Sequence, residues 1–385
     1  MKISYIYIPL IIVILVRASN ASFILSTTLT LPHVSPEFHS IILASYSIAE
    51  ATTGIFTGII YEYIGSKRLL TFSTLGESIS YGLMTLLRDP YVILILNAFS
   101  GFLASSIIVS TISLISESLS GGTRILGMGG FESVNLGGYL IGFLTSGIIL
   151  LFKEVSYLIS FVFMFSAFIM SLLLKVNERR KTEIRLSLSE FKSTSILLPI
   201  WIGFAMILGF TFVLPKLFTV LNIRLTIGNI DSVNPRGGVT IFILVAIIIV
   251  MIAAIIGGFI TRFIGKKYAL IIGSISTALL LISSSIFLNN PIALLVILAI
   301  LIFPSLSLPT SLLSLLADFT DKTSVRGPYI GVYTIALGVG IALGQLLGGT
   351  LFQKYGIQSV FQLLSALFIT LAIISILLIR KNINN

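Results

Sequence analysis

The sequence predicts an all-α integral membrane protein with twelve transmembrane helices in two pseudo-symmetric six-helix halves. Two observations carry this. The 385 residues are 56% hydrophobic and only 10% charged, with mean hydropathy +1.10. Soluble domains carry about 25% charge, and here the deficit runs the whole length, so the chain belongs in a bilayer. Second, one spelling occurs twice. Gly58, Glu62, Gly65, Lys67 and Arg68 recur as Gly258, Arg262, Gly265, Lys266 and Lys267, each copy between two long apolar runs. Further on, Pro90, Glu117, Arg124, Gly129, Gly138 and Gly142 recur as Pro291, Asp318, Arg326, Gly331, Gly340 and Gly344. Register kept through three successive apolar runs marks a duplicated half.

A span needs about 20 apolar residues. Such runs fall at 4–31, 39–61, 69–87, 90–116, 125–151, 155–175, 195–221, 238–261, 268–288, 291–316, 328–352 and 356–379. The first has the outline of a signal peptide, with Lys2, an apolar run over 5–16, then Arg17-Ala18-Ser19-Asn20-Ala21. The apolar run resumes over 23–31, and removing it would break the even count, so it reads as the first span. Residues 268–317 carry no charge and are interrupted only by Asn289-Asn290-Pro291, which suits two spans and a tight turn. The halves are 1–175 and 195–385, joined by the polar, basic stretch 176–194 as a cytoplasmic linker. The loop 222–237 is longer than its counterpart and ends Asn234-Pro235-Arg236-Gly237-Gly238, an ordered external turn. With both termini inside, the inner loops gather Lys67, Arg68, Arg124, Arg179, Arg180, Lys181, Arg262, Lys266, Lys267, Lys322 and Arg326. The outer side holds Arg88, Lys153, Lys216, Arg224, Arg236 and Lys354. The excess of inner cations fixes the orientation of a multi-pass protein of the cell membrane.

Several chemistries are excluded. There is no cysteine, so no disulfide or thiolate metal site exists. His33 and His39 flank one loop without metal-ligand spacing. The +10 charge lies in short loops at helix ends, which argues for membrane orientation and against nucleic acid. No Gly-x4-Gly-Lys loop is present to hold ATP. No nucleophile–base constellation suggests an enzyme, and no cofactor is expected.

Four ionisable residues fall near mid-membrane: Arg17, Glu50, Glu77 and Glu132. Each costs roughly 2.5–3.5 kcal/mol there, so such groups face a cavity or one another. Arg17 and Glu50 match in depth; they are either a static buried pair or an arginine awaiting an anion beside a free carboxyl. Asn20 lies one turn from Arg17. Glu132 shares a helical face with Asn135, Tyr139 and Gly142. Asn97 reads as an interhelical hydrogen-bonding residue. These side chains form the expected substrate and proton pathway. Gly54 with Gly58, Gly138 with Gly142, and Gly340 with Gly344 and Gly348 let helices approach closely. They serve either plain packing or a sliding surface between the halves.

With its loop Gly58…Glu62…Gly65-Ser66-Lys67-Arg68 and paired halves, the chain resembles the major facilitator superfamily. Glu62 and Tyr63 stand where that family prefers aspartate and arginine, and the second copy has Arg262 at the acid position. Asn97-Ala98-Phe99-Ser100-Gly101 matches a second family motif without its arginine. Gly138…Gly142 matches an antiporter motif without its proline, and Gly340…Gly344…Gly348 matches it better, in the other half. The resemblance implies alternating access around a cavity lined by the first, fourth, seventh and tenth helices, with the third, which bears Glu77, at the periphery. It also implies a cytoplasmic gate built from Gly58, Glu62, Gly65, Lys67, Arg68, Glu117 and Arg124, with Gly258, Arg262, Gly265, Lys266, Lys267, Asp318 and Arg326. Glu62 is expected at the N-terminus of the eleventh helix, beside Arg326-Gly327-Pro328, where the helix dipole favours an anion. Lys67 or Arg68 is expected to reach Glu117. The function expected is secondary active transport, as proton-coupled export of a small lipophilic or cationic compound. Alternatives are proton-linked uptake of a small organic anion and, in another class, a non-transporting receptor or scaffold. The expected partners are the lipid bilayer, a small-molecule substrate and protons, with the chain a monomer.

Overall fold

The computed structural model describes residues 4–31, 33–152, 157–175, 187–221, 235–287, 291–321 and 325–383. In order these form α1 (Ser4–Thr30), α2 (Pro36–Ile64), α3 (Ser66–Leu86), α4 (Pro90–Ser118), α5 (Gly121–Phe152) and α6 (Leu158–Leu172), then α7 (Leu188–Ser195) and α8 (Leu198–Leu221). The rest are α9 (Pro235–Ile264), α10 (Lys266–Ile286), α11 (Pro291–Ser305), α12 (Ser307–Asp321) and α13 (Gly327–Ile383). Residues 176–186 of the expected linker and 222–234 of the expected outer loop lie outside the described residues.

Local chemistry sets the boundaries. Ser35 caps α2, its hydroxyl accepting from Phe38 N at 3.2 Å, and Asp89 caps α4 by accepting from Tyr91 N and Val92 N. A proline follows each cap, where its missing N–H costs nothing. The cap at Ser35 starts α2 at Pro36, one turn before His39. That histidine is buried within the helix, and its Nε2 meets Thr28 Oγ1 at 3.2 Å. Gly65 and Gly265 hold φ of 82° and 86° and turn α2 into α3 and α9 into α10 without a loop. Left-handed backbone is what glycine permits, so the repeated motif is one turn made twice. Gly356, at φ 77°, bends α13 into two arms in the same way.

The twelve-span architecture follows: α1 to α6, α8 to α10, α11 with α12, and the two arms of α13. Two features depart from the expected order. The tenth span is broken at Leu306, because Pro309 lacks the N–H that would bond the Ser305 carbonyl. The break packs inward: Gly257 abuts the Leu306 backbone, and Ser307 donates to Ala269 O at 3.0 Å. The linker also carries α7. Ser187 N donates to the Tyr329 hydroxyl at 3.1 Å, that hydroxyl donates to Glu190, and Phe191 packs on the Tyr329 ring at 4.6 Å. The linker thus docks on the start of α13.

Large apolar side chains such as Phe56, Phe72, Ile95 and Ile300 face outward, as lipid-facing residues do. Within the first half α1 packs on α5 and α6, and α4 on α2 and α3; within the second, α8 packs on α13. The halves meet where α2 lies along α13 and α5 along α9. Glycines make both kinds of joint. A Cβ on Gly54 or Gly58 would collide with the backbone of Gly331 or Gly327, across the halves, and Gly129 faces Gly258. The other expected sliding glycines lie elsewhere. Gly138 and Gly142 pack on Ile14, Arg17 and Ala18 of α1, while Gly340 and Gly344 pack on Ile202, Ala205 and Met206 of α8 and Gly348 on Phe210. Those pairs are one intra-half joint built twice, not part of the surface between halves. The copy also shows an asymmetry: where the first half has Arg17, the second has Ala205.

Candidate functional site

Between the halves lies a cavity of about 30 Å³. That is room for a water or two, so no solute of metabolite size fits in this closed state. Its polar lining is Arg17, Asn20, Tyr46, Ser47, Glu50, Tyr81, Asn97, Tyr139 and Gln345; Phe23, Ile24, Leu43, Phe212 and Ile341 supply apolar walls. The sequence-expected Arg17, Asn20, Glu50 and Asn97 therefore converge on one space.

Arg17 is positioned by α5. Its Nε donates to Asn135 Oδ1 at 2.6 Å, its Nη1 reaches the Tyr139 hydroxyl at 3.4 Å, and the guanidinium lies over the Tyr139 ring at 5.7 Å. Asn135 in turn donates to Glu132 Oε2 at 3.4 Å. The shared face of Glu132, Asn135, Tyr139 and Gly142 is thus turned on α1. Gly142 lets α5 approach Ala18, which brings those donors within reach. Arg17 and Glu50 form no ion pair among the described residues. Neutral groups hold the arginine, while Glu50, 1% exposed, has Oε1 without a hydrogen-bond partner. Of the two readings of Arg17 and Glu50, the direct buried ion pair is absent: the α5 fork holds the guanidinium, and both groups line the same cavity.

Asn97 behaves as expected, with Nδ2 donating to Ile42 O at 2.7 Å and Ser45 Oγ at 3.3 Å, tying α4 to α2. Glu77 does not line the cavity. It is fully buried on α3, with neither carboxyl oxygen partnered, although the third helix was expected at the periphery. Sequence reasoning passed over Tyr46, Tyr81 and Gln345. Asn20 Nδ2 donates to Tyr46 Oη at 3.1 Å, Tyr81 Oη donates to Asn20 Oδ1 at 2.9 Å, and Ser47 donates to Gln345 Oε1 at 3.2 Å across the halves. The signal for the two tyrosines was a turn spacing: Tyr46 stands one turn before Glu50, and Tyr81 one turn after Glu77.

The cavity is shut towards the end where the linker docks. Glu62 Oε1 accepts from Arg326 N at 2.7 Å and Gly327 N at 2.9 Å, capping α13 with a carboxylate. Gly58 makes room for this contact, because its missing side chain seats Gly327 and Pro328. Arg326 Nη1 donates to Ser116 Oγ at 3.2 Å, and Tyr61 donates to Glu117 Oε1 at 3.2 Å. Arg124 Nε donates to Leu119 O at 2.9 Å. In the second copy Lys266 pairs with Asp318, the repeat's form of the contact expected between the basic turn and the end of α4. Arg262, at the acid position, lies beside Gly122. The opposite end is also in contact: Gly349 abuts Ser40, and Lys216 Nζ donates to Leu31 O at 3.2 Å.

The fold of these helices is matched by known proteins. A family model described as Major Facilitator Superfamily matches residues 10–305 and 237–383. The structure is similar to the human organic anion transporter MFSD10 (TETRAN), with TM-score 0.74 and 14% identity over 97% of this chain and 99% of that one. It is also similar to the nucleoside transporter NupG, solved as a point mutant, with TM-score 0.68 and 13% identity over 97% and 99% of the two chains. No curated protein matches in sequence. With the family model spanning nearly its whole length, the chain belongs to the Major Facilitator Superfamily.

Proposed function

We propose that this protein is a proton-coupled secondary transporter of small organic anions, working by alternating access with the linker end towards the cytoplasm. The observation behind this reading is Arg17: a buried cation in the central cavity, fixed by neutral partners and free of a carboxylate among the described residues. Arginine cannot shed its charge, and an unpaired charge at this depth is costly. A carboxylate or similar anion would form a charge-assisted fork with it. Glu50, on the same cavity wall, can hold a proton while the anion is bound and release it when the anion leaves. MFSD10 transports organic anions; at 14% identity that likeness speaks for the fold, and the anion reading rests on Arg17.

The test is a thermal-shift panel on purified protein: benzoate and salicylate as anions, tetraphenylphosphonium and ethidium as cations, uridine as a neutral solute. Binding to the folded state raises the unfolding temperature by mass action. An anion should stabilise the wild type and Glu50→Gln but not Arg17→Gln. Uptake of that anion into vesicles should follow an imposed pH gradient, and uptake and exchange at equal pH should both be lost in Arg17→Gln. The partnerless Glu50 oxygen also suits an organic cation, the export reading. Stabilisation by tetraphenylphosphonium that survives Arg17→Gln would establish that reading instead.

A further inference from the structure

Glu77 has no place in that scheme, yet it is completely buried and both of its carboxyl oxygens lack a partner. One turn along α3, Tyr81 donates to Asn20 Oδ1. Asn20 Nδ2 donates to Tyr46 Oη. Tyr46 stands one turn from Glu50 on α2. A hydrogen-bonded bridge therefore runs α3–α1–α2, with Glu77, neither oxygen partnered, one turn from Tyr81 at one end and Glu50, its Oε1 unpartnered, one turn from Tyr46 at the other. The Tyr46 hydroxyl accepts from Asn20, which leaves its own hydrogen available to a carboxylate. The charged and titratable groups facing Glu77 are Glu50 and Tyr46 of α2, Arg17 of α1 and Tyr81 of its own helix. The helices packed on α3 add little: α6 carries no titratable residue, and α4 carries only Tyr91 and Glu117, near its ends.

One cation thus faces three carboxyls, Glu50, Glu77 and, through Asn135, Glu132, and charge balance in low dielectric sets what they hold. With the cavity empty, Arg17 balances one carboxylate, so the three retain two protons. With a monovalent anion on Arg17, no carboxylate has a counter-ion, and the three hold three. We propose that Glu77 is a second proton site of this transporter, sharing its load with Glu50 through the Tyr46–Asn20–Tyr81 bridge. One proton then crosses with each monovalent anion: it joins a carboxylate from the side where the anion enters and leaves on the other. Only O–H bonds are made and broken. The inference rests on the proton-coupled anion reading.

Infrared difference spectra of the purified protein, titrated with pH and without added solute, test it directly. The carboxyl stretching band lost in Glu77→Gln should titrate in the wild type. Its midpoint should move by about one pH unit or more in Glu50→Gln, the mark of interacting sites. Tyr81→Phe keeps both carboxyls and cuts one bond of the bridge; it should move the midpoint as well, with the unfolding temperature retained. If Glu77→Gln does not fold, Glu77→Asp identifies the band by displacing it. A Glu77 band that never titrates, or whose midpoint is the same in all variants, overturns the proposal. A benzoate flux that loses its dependence on the pH gradient in Glu50→Gln, with Glu77 still present to take the proton, overturns it while leaving the transport reading intact. Coupled carboxyls with a benzoate flux indifferent to pH would instead overturn the transport reading alone.

Discussion

Glu62 joins two carboxylate hydrogen bonds to the dipole of α13, at 2.7 and 2.9 Å from Arg326 N and Gly327 N. Glutamine keeps the shape and one acceptor but loses the charge, worth about 1–2 kcal/mol at a partly buried helix N-terminus. Glu62→Gln should therefore shift the balance between closed and open linker ends about tenfold. The chain has no native cysteine, so one placed at Ser47 reports cavity access without interference. Its labelling from the linker side should rise and from the far side fall. Unchanged labelling from both sides would show that Glu62 does not hold this gate. This contact was legible in the sequence because a motif residue and a helix start obey local rules. The Arg17–Glu50 geometry was not. Matching depth along two helices says nothing of azimuth, and the Asn135–Tyr139 fork that captures the guanidinium comes from a third helix. Glu77 was undervalued for the same reason: the periphery of a bundle is defined by packing, and only the packed structure shows a fully enclosed carboxyl.

Where α2 lies along α13, closeness is set by glycines rather than by side-chain complementarity. A methyl group on Gly58 would strike the Gly327 backbone, whereas one on Gly130 meets nothing within 4 Å. Gly58→Ala should cost about 1–3 kcal/mol through overpacking, with the linker end opening first. Gly130→Ala should be neutral or stabilising, since alanine favours helix by roughly 0.5–1 kcal/mol. Thermal unfolding of the two variants checks the contrast, and equal melting temperatures would refute the packing argument. Most of this architecture was readable from apolar run lengths and from the repeated glycine-bounded turn. Two things were not. The break in the tenth span needs Pro309 to be seen against the helix hydrogen-bond ladder, and α7 is too short and polar to stand out from a linker. Glycine spacing alone did not say which partner each stripe meets: one stripe serves the joint between halves, the others the joints inside each half.

Alternating access requires the two halves to separate at one end while they stay closed at the other, and here they touch at both. Ser105 of α4 and Thr334 of α13 bring their hydroxyls to 3.4 Å across the divide, and Ser105 also meets Thr57 of α2 at 2.8 Å. These small side chains are near enough for a disulfide, whose Cβ atoms lie about 3.8 Å apart. Ser105→Cys with Thr334→Cys should cross-link under oxidation and pin the linker end shut. The rest of the molecule gives the expected readout. α2 and the first arm of α13 are held together here by two hydrogen bonds that Arg326 N and Gly327 N donate to the Glu62 carboxylate and by glycine contacts, a joint that can part as a unit. Hydrogen exchange over 54–64 and 327–334 should therefore slow on oxidation and recover with reductant, while α10, distant from the divide, exchanges as before. If oxidation leaves exchange at 54–64 unchanged although the bridge has formed, the halves do not part at this end, and the path of any solute must be sought elsewhere in the bundle.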